Sequence, residues 1–204
     1  MKQISKFLVI LLAFFTCSCS KNDDSAQDSL TLGNVNFDFE LINDANASLP
    51  KYWSVGTDDS QSIGGEQFNI SLDNLEKHSG KLSLKMEIHS NPNSKFGAFV
   101  NSLPIELFAG KSVEFKGWIK TKGVIAGDPG LWFKVEGAGN NVLDFDDTYA
   151  RKLNGDNDWK QVSIKMNVSK YATTIYLGGV LSGEGTAWFD DLELYVDGTK
   201  IKTD

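Results

Sequence analysis

Only two cysteines occur in the 204 residues, and both stand at the start, as Cys17 and Cys19. Whatever folds after them has no disulfide and no thiol chemistry to draw on. Histidine is equally scarce, with His78 and His89 alone, so a histidine-rich metal centre cannot be assembled. Basic charge is in the minority as well: 20 Lys and Arg face 27 Asp and Glu for a net charge of −7. The lysines are scattered, and nucleic acid is excluded as a partner because phosphate binding needs a concentrated basic surface. After residue 15 no apolar run is long enough to cross a bilayer. Enzyme signatures are missing too: there is no Gly-x-Ser-x-Gly elbow, no His-Glu-x-x-His helix and no glycine-rich phosphate loop. Asp144-Phe145-Asp146-Asp147 could supply one carboxylate of a glycosidase pair. A facing partner is not evident, and the expectation is a protein without catalytic activity.

What is present begins with a leader. Lys2 and Lys6 precede an apolar stretch over residues 7–15, and Thr16-Cys17-Ser18-Cys19 supplies small residues for cleavage. The arrangement resembles the lipobox of bacterial lipoproteins, which implies lipidation at Cys19, with Cys17 as the second choice. Ser20-Lys21-Asn22-Asp23-Asp24 resembles the acidic tag that sends some lipoproteins to the outer face of the outer membrane. The expected location is therefore the cell exterior, with lipid as the membrane anchor. Residues 1–19 form the leader and 20–33 a polar tether that cannot offset its ordering entropy. Residues 34–198 form one domain, and 199–204 a tail.

Within the domain the hydrophobic period is two. Leu82, Leu84, Met86 and Ile88 alternate with Lys81, Ser83, Lys85 and Glu87, and Leu131, Phe133 and Val135 alternate with Trp132, Lys134 and Glu136. The segments around Phe115 and Ile164 repeat the pattern, and Gly, Pro and Asn clusters punctuate it. A turn or two of helix is expected only near residues 73–77. The fold class is all-β: a two-sheet antiparallel β-sandwich.

Parity sets three large aromatics apart. Trp118 falls with Glu114, Lys116 and Lys120, Trp132 with Lys134 and Glu136, and Tyr176 lies between Ile175 and Leu177. Aromatic rings on a polar face are solvated at a cost unless something covers them, a ligand or a loop. Trp159 and Trp188 stand near turns and strand ends and read as packing residues.

Asn36-Phe37-Asp38-Phe39-Glu40, His78-Ser79-Gly80-Lys81-Leu82-Ser83-Leu84 and Trp188-Phe189-Asp190-Asp191-Leu192-Glu193-Leu194 together resemble the first, an early and the last strand of galactose-binding-like jelly rolls. The likeness is strongest to carbohydrate-binding modules of the family 4 and 9 type. It implies a jelly roll that binds a glycan or polysaccharide by stacking sugars on Trp118, Trp132 and Tyr176, with Lys134, Asp146 and Arg151 hydrogen-bonding around them. It also implies a structural calcium ion held by Glu40, the carbonyl of Lys81 and Asp190. The alternative for these carboxylates is hydrogen bonding to turn amides. A second version of the domain, attached to secreted peptidases and esterases, shares Gly130-Leu131-Trp132-Phe133-Lys134-Val135, Arg151 and the glycines before Trp188. That likeness implies docking of another surface protein or a peptide instead.

Overall fold

The computed structural model describes residues 30–57, 68–89 and 96–203. The leader, both cysteines and the tether up to residue 29 lie outside the described residues. Among the described residues thirteen strands follow in order: β1 (Thr31–Leu32), β2 (Ser54–Thr57), β3 (Phe68–Asp73), β4 (Ser83–Ile88), β5 (Phe96–Pro104), β6 (Ser112–Ile125) and β7 (Pro129–Gly137). Then come β8 (Val142–Asp147), β9 (Gly155–Asn167), β10 (Ala172–Ser182), β11 (Glu184–Val196), β12 (Thr199–Lys200) and β13 (Lys202–Thr203).

Two sheets hold eleven of these strands, one ordered β2-β5-β10-β7-β8 and the other β3-β4-β11-β6-β9 with β12 paired to β11, while β1 and β13 form a small sheet of their own. Pairing in both is antiparallel throughout. From β5 onward the chain passes back and forth between the sheets, so each turn signal in the sequence marks a hairpin or a crossing. The expected sandwich is what forms.

Alternation is visible in burial. In β6, Val113, Phe115, Ile119 and Thr121 are buried while Glu114, Lys116, Trp118 and Lys120 are partly exposed. The inward residues of both sheets meet in one core, where Phe99 stands edge-on to Phe39, Trp53 and Phe189 at centroid distances of 5.6, 5.0 and 5.1 Å. Gly178 and Gly179 allow β10 to pass close to β5. A Cβ on Gly178 would lie 1.9 Å from the Phe99 carbonyl oxygen, and one on Gly179 would lie 2.4 Å from the Phe99 ring.

The structure extends the domain at both ends. Thr31 and Leu32, expected in the tether, pair in parallel with Lys202 and Thr203, expected in the tail. No helix forms over residues 73–77, where Asp73 Oδ1 accepts the Leu75 amide in a turn instead.

Candidate functional site

The segments at residues 36–40 and 188–194 converge on the turn at residues 78–82. Asp190 Oδ2 accepts the amides of His78 and Ser79 at 2.7 and 3.1 Å. Glu40 Oε1 accepts those of Lys81 and Leu82 at 2.5 and 3.0 Å. Gly80, at φ +59°, is needed here because a Cβ would lie 2.2 Å from Glu40 Oε1. Asp191, at φ +45°, opens a bulge between Asp190 and Glu193 that changes the parity of β11. Asp190 therefore does not share a face with Leu192 and Leu194, as alternation suggests; it pairs with Trp118 and is only 1% exposed. Burial pushes its carboxyl up to about 6, against the pull of the amides.

These contacts bear on calcium. Lys81 gives its N–H to Glu40 Oε1, and both oxygens of Asp190 accept backbone N–H groups. Among the described residues no three His, Cys, Asp or Glu side chains converge in a way that could hold a metal ion. Calcium takes a cage of mixed oxygen ligands, to which the side chains of this set would bring the carboxylates of Glu40 and Asp190.

The six aromatic and polar residues expected to form one ligand face divide between the sheets. Trp118 belongs to β6 and Trp132 to β7, in different sheets, so their outward faces point away from each other and no single face carries both. Alternation shows that a ring points outward but not from which sheet. Around Trp118 the outer surface is occupied: the His78 ring stacks on the indole at 4.0 Å and 17°, and Trp159 stands edge-on to His78 at 5.6 Å. Beyond it, Lys85 pairs with Glu87, Lys116 with Glu114 and Lys120 with Glu76. Trp188, read as a packing residue, is buried and donates its indole N–H to Asp73.

The five-stranded sheet presents a different surface. Tyr176, Lys134 and Phe145 fall in one cross-strand row, and the next row holds Gly178, Trp132 and Asp147. The Lys134 ammonium lies over the Tyr176 ring at 4.6 Å and also bonds Glu136 at 2.7 Å. Trp132 is partly exposed, and its neighbour Gly178 has no side chain to cover it. Phe145 is 51% exposed. It joins the expected residues here, and its signal was the alternation hidden inside an acidic run. Trp132, Lys134 and Tyr176 are thus brought together. Asp146 is not: it pairs with Phe133, on the opposite parity, at the sheet edge. Arg151 lies beyond β8, in the 3-10 turn Tyr149–Arg151.

No family model matches the sequence. An uncharacterized HTH-type transcriptional regulator, YbfP of Bacillus subtilis (strain 168), is 31% identical over 126 residues, which is 61% of this chain and 42% of that protein. The chain thus spans about two fifths of that relative. Among solved structures, the enzymatically active domain of bacteriophage CBA120 tailspike protein 4 superposes with a TM-score of 0.54 at 11% identity, over 71% of this chain and 19% of the other. An arabinose-bound α-L-arabinofuranosidase gives 0.51 at 12% identity, over 71% and 23%. A structure of carbohydrate-binding modules from the β-sandwich superfamily gives 0.52 at 12% identity, over 81% and 63%. At such identities the likeness is one of fold, and the chain has the β-sandwich fold that carbohydrate-binding modules use.

Proposed function

We propose that the domain is a non-catalytic binding module that holds a glycan chain across the outer face of the five-stranded sheet. The observation that carries this reading is the group Trp132, Tyr176 and Phe145, three rings on adjacent strands at outward positions around Lys134. Such rings offer apolar contact to the flat faces of sugars without a deep pocket, and neighbouring polar groups replace the water that hydroxyls lose. Lys134, Glu136 and Asp147 are the polar groups in place. The fold shared with carbohydrate-binding modules supports the same reading.

A glycan array probed with the full chain tests it. The wild type should bind, and Trp132→Ala and Tyr176→Ala should each lose binding with little change in thermal midpoint. Binding that survives both substitutions overturns the reading.

Location on the cell exterior belongs to the same proposal and is supported by the basic start, apolar run and small residues ahead of Cys19. Cys19→Ala should release the protein from membranes. Release by Cys17→Ala alone would move the lipid to that residue.

A further inference from the structure

The five strands of the aromatic sheet, β2, β5, β10, β7 and β8, hold a single basic residue, Lys134, against four acidic ones, Glu136, Asp144, Asp146 and Asp147. Arg151 and Lys152 come only after β8, in the 3-10 turn and at its end. Within the group formed by Trp132, Tyr176 and Phe145, any attraction for an anion therefore falls to Lys134. That lysine is already engaged. Its ammonium meets Glu136 Oε1 at 2.7 Å and lies 4.6 Å from the centre of the Tyr176 ring.

Glu136 stands two residues further along β7, and only 12% of its side chain is exposed, against 31% for Lys134. A carboxylate so far out of water needs a partner, and its partner here is the one cation that a bound anion would use. The pair cancels the charge of Lys134 without consuming its hydrogen-bonding capacity. An ammonium carries three N–H donors, and Glu136 takes one of them. An uncharged sugar thus meets rings and donors together. A uronate or a sulfate ester would give up water to reach a face with no net positive charge, and it would meet Asp147 in the same row as Trp132. Discrimination between two ligands rests on such a repulsive element as much as on the attractive ones.

We propose that the glycan taken by the aromatic sheet is uncharged, and that Glu136 sets this preference by occupying Lys134. The inference rests on glycan binding at this face and adds which class of glycan is accepted and which is refused.

The test is an array of neutral gluco-, galacto- and mannooligosaccharides printed beside polygalacturonate, alginate and chondroitin sulfate, probed with the full chain in low-salt buffer. The wild type should hold at least one neutral glycan and bind the acidic ones at least about tenfold more weakly, a gap of about 1.4 kcal/mol. Glu136→Gln keeps the shape of the side chain and uncovers the charge of Lys134. The ratio of acidic to neutral affinity should then rise by up to about fivefold, the size of an exposed ion pair, and added salt should reverse the rise. Because Glu136 is nearly buried, a second variant covers the case in which Glu136→Gln does not fold: Asp147→Asn, on the exposed strand β8, removes one repelling charge and should raise the same ratio by about twofold. Acidic glycans held by the wild type as tightly as neutral ones, or a ratio that neither variant raises, overturn the proposal and leave glycan binding at the sheet standing. A wild type that holds no glycan at all overturns the reading on which the proposal rests, and the proposal with it.

Discussion

The ring of His78 lies flat on the indole of Trp118, with centroids 4.0 Å apart and planes 17° from parallel. An aromatic pair of this kind contributes about 0.5–1.5 kcal/mol beyond its area. A double-mutant cycle of His78→Ala and Trp118→Ala, followed by urea unfolding, should return a coupling energy of that size. Trp118→Ala should leave glycan affinity at the five-stranded sheet unchanged. A fall in that affinity with no change in stability would return Trp118 to the glycan-binding residues.

Asp190 makes stability depend on pH in an unusual direction. Its folded value, about 6, is above the ordinary carboxyl value of 3.8, so the native state holds the proton more tightly than the unfolded chain. Its contribution is fully present below about pH 4 and is lost as pH rises through 6. Asp73, Asp158 and Asp197 are shifted the other way, so the whole-protein profile mixes both signs. The difference in thermal midpoint between wild type and Asp190→Asn isolates the effect, and it should move against the wild type between pH 4 and 7. A flat difference would show that Asp190 does not titrate in that window.

Glu40 fastens the turn at residues 78–82 through two amides. Glu40→Ala leaves both donors to solvent and should cost about 1–2 kcal/mol by denaturant unfolding. Since these donors already hold the carboxylate, chelator should leave the thermal midpoint where it is. A midpoint that falls on chelation and returns with calcium would install the ion that the sequence resemblance implies.

The edge strand β8 is exposed along its length and carries Val142 and Phe145. Two of its amides are already occupied: Asp144 Oδ1 accepts the N–H of Phe145 at 2.9 Å, and Asp146 Oδ1 accepts that of Asp147 at 2.8 Å. Unpaired N–H groups on an apolar edge invite another strand. The double variant Asp144→Ala, Asp146→Ala should therefore self-associate at concentrations where the wild type sediments as a monomer. Unchanged sedimentation would mean that edge charge alone, or twist, keeps strands apart.

Both sheets were legible in the sequence because alternation is local, and so was the outward aim of Trp118, Trp132 and Tyr176. The assignment of Trp118 and Trp132 to opposite sheets was not, since sheet membership follows from pairings such as Gly178 with Trp132, far apart in the chain. Asp190 was misplaced because one residue in a left-handed conformation, Asp191, resets the alternation, and nothing in an Asp-Asp pair announces a bulge. Phe145 escaped notice inside an acidic run whose neighbours turn their carboxylates back onto the backbone.

The position of β11 has a bearing on how the protein is made. It lies at the centre of the larger sheet, between β4 and β6, yet it is the last long strand of the described domain in chain order. Until it arrives, β3-β4 and β6-β9 are two separate ribbons, and the turn at 78–82 lacks a partner more than a hundred residues downstream. Long-range closure of this kind is slow and leaves chains open to aggregation while they wait. Completion of the larger sheet is thereby deferred until the segment from Glu184 has been made.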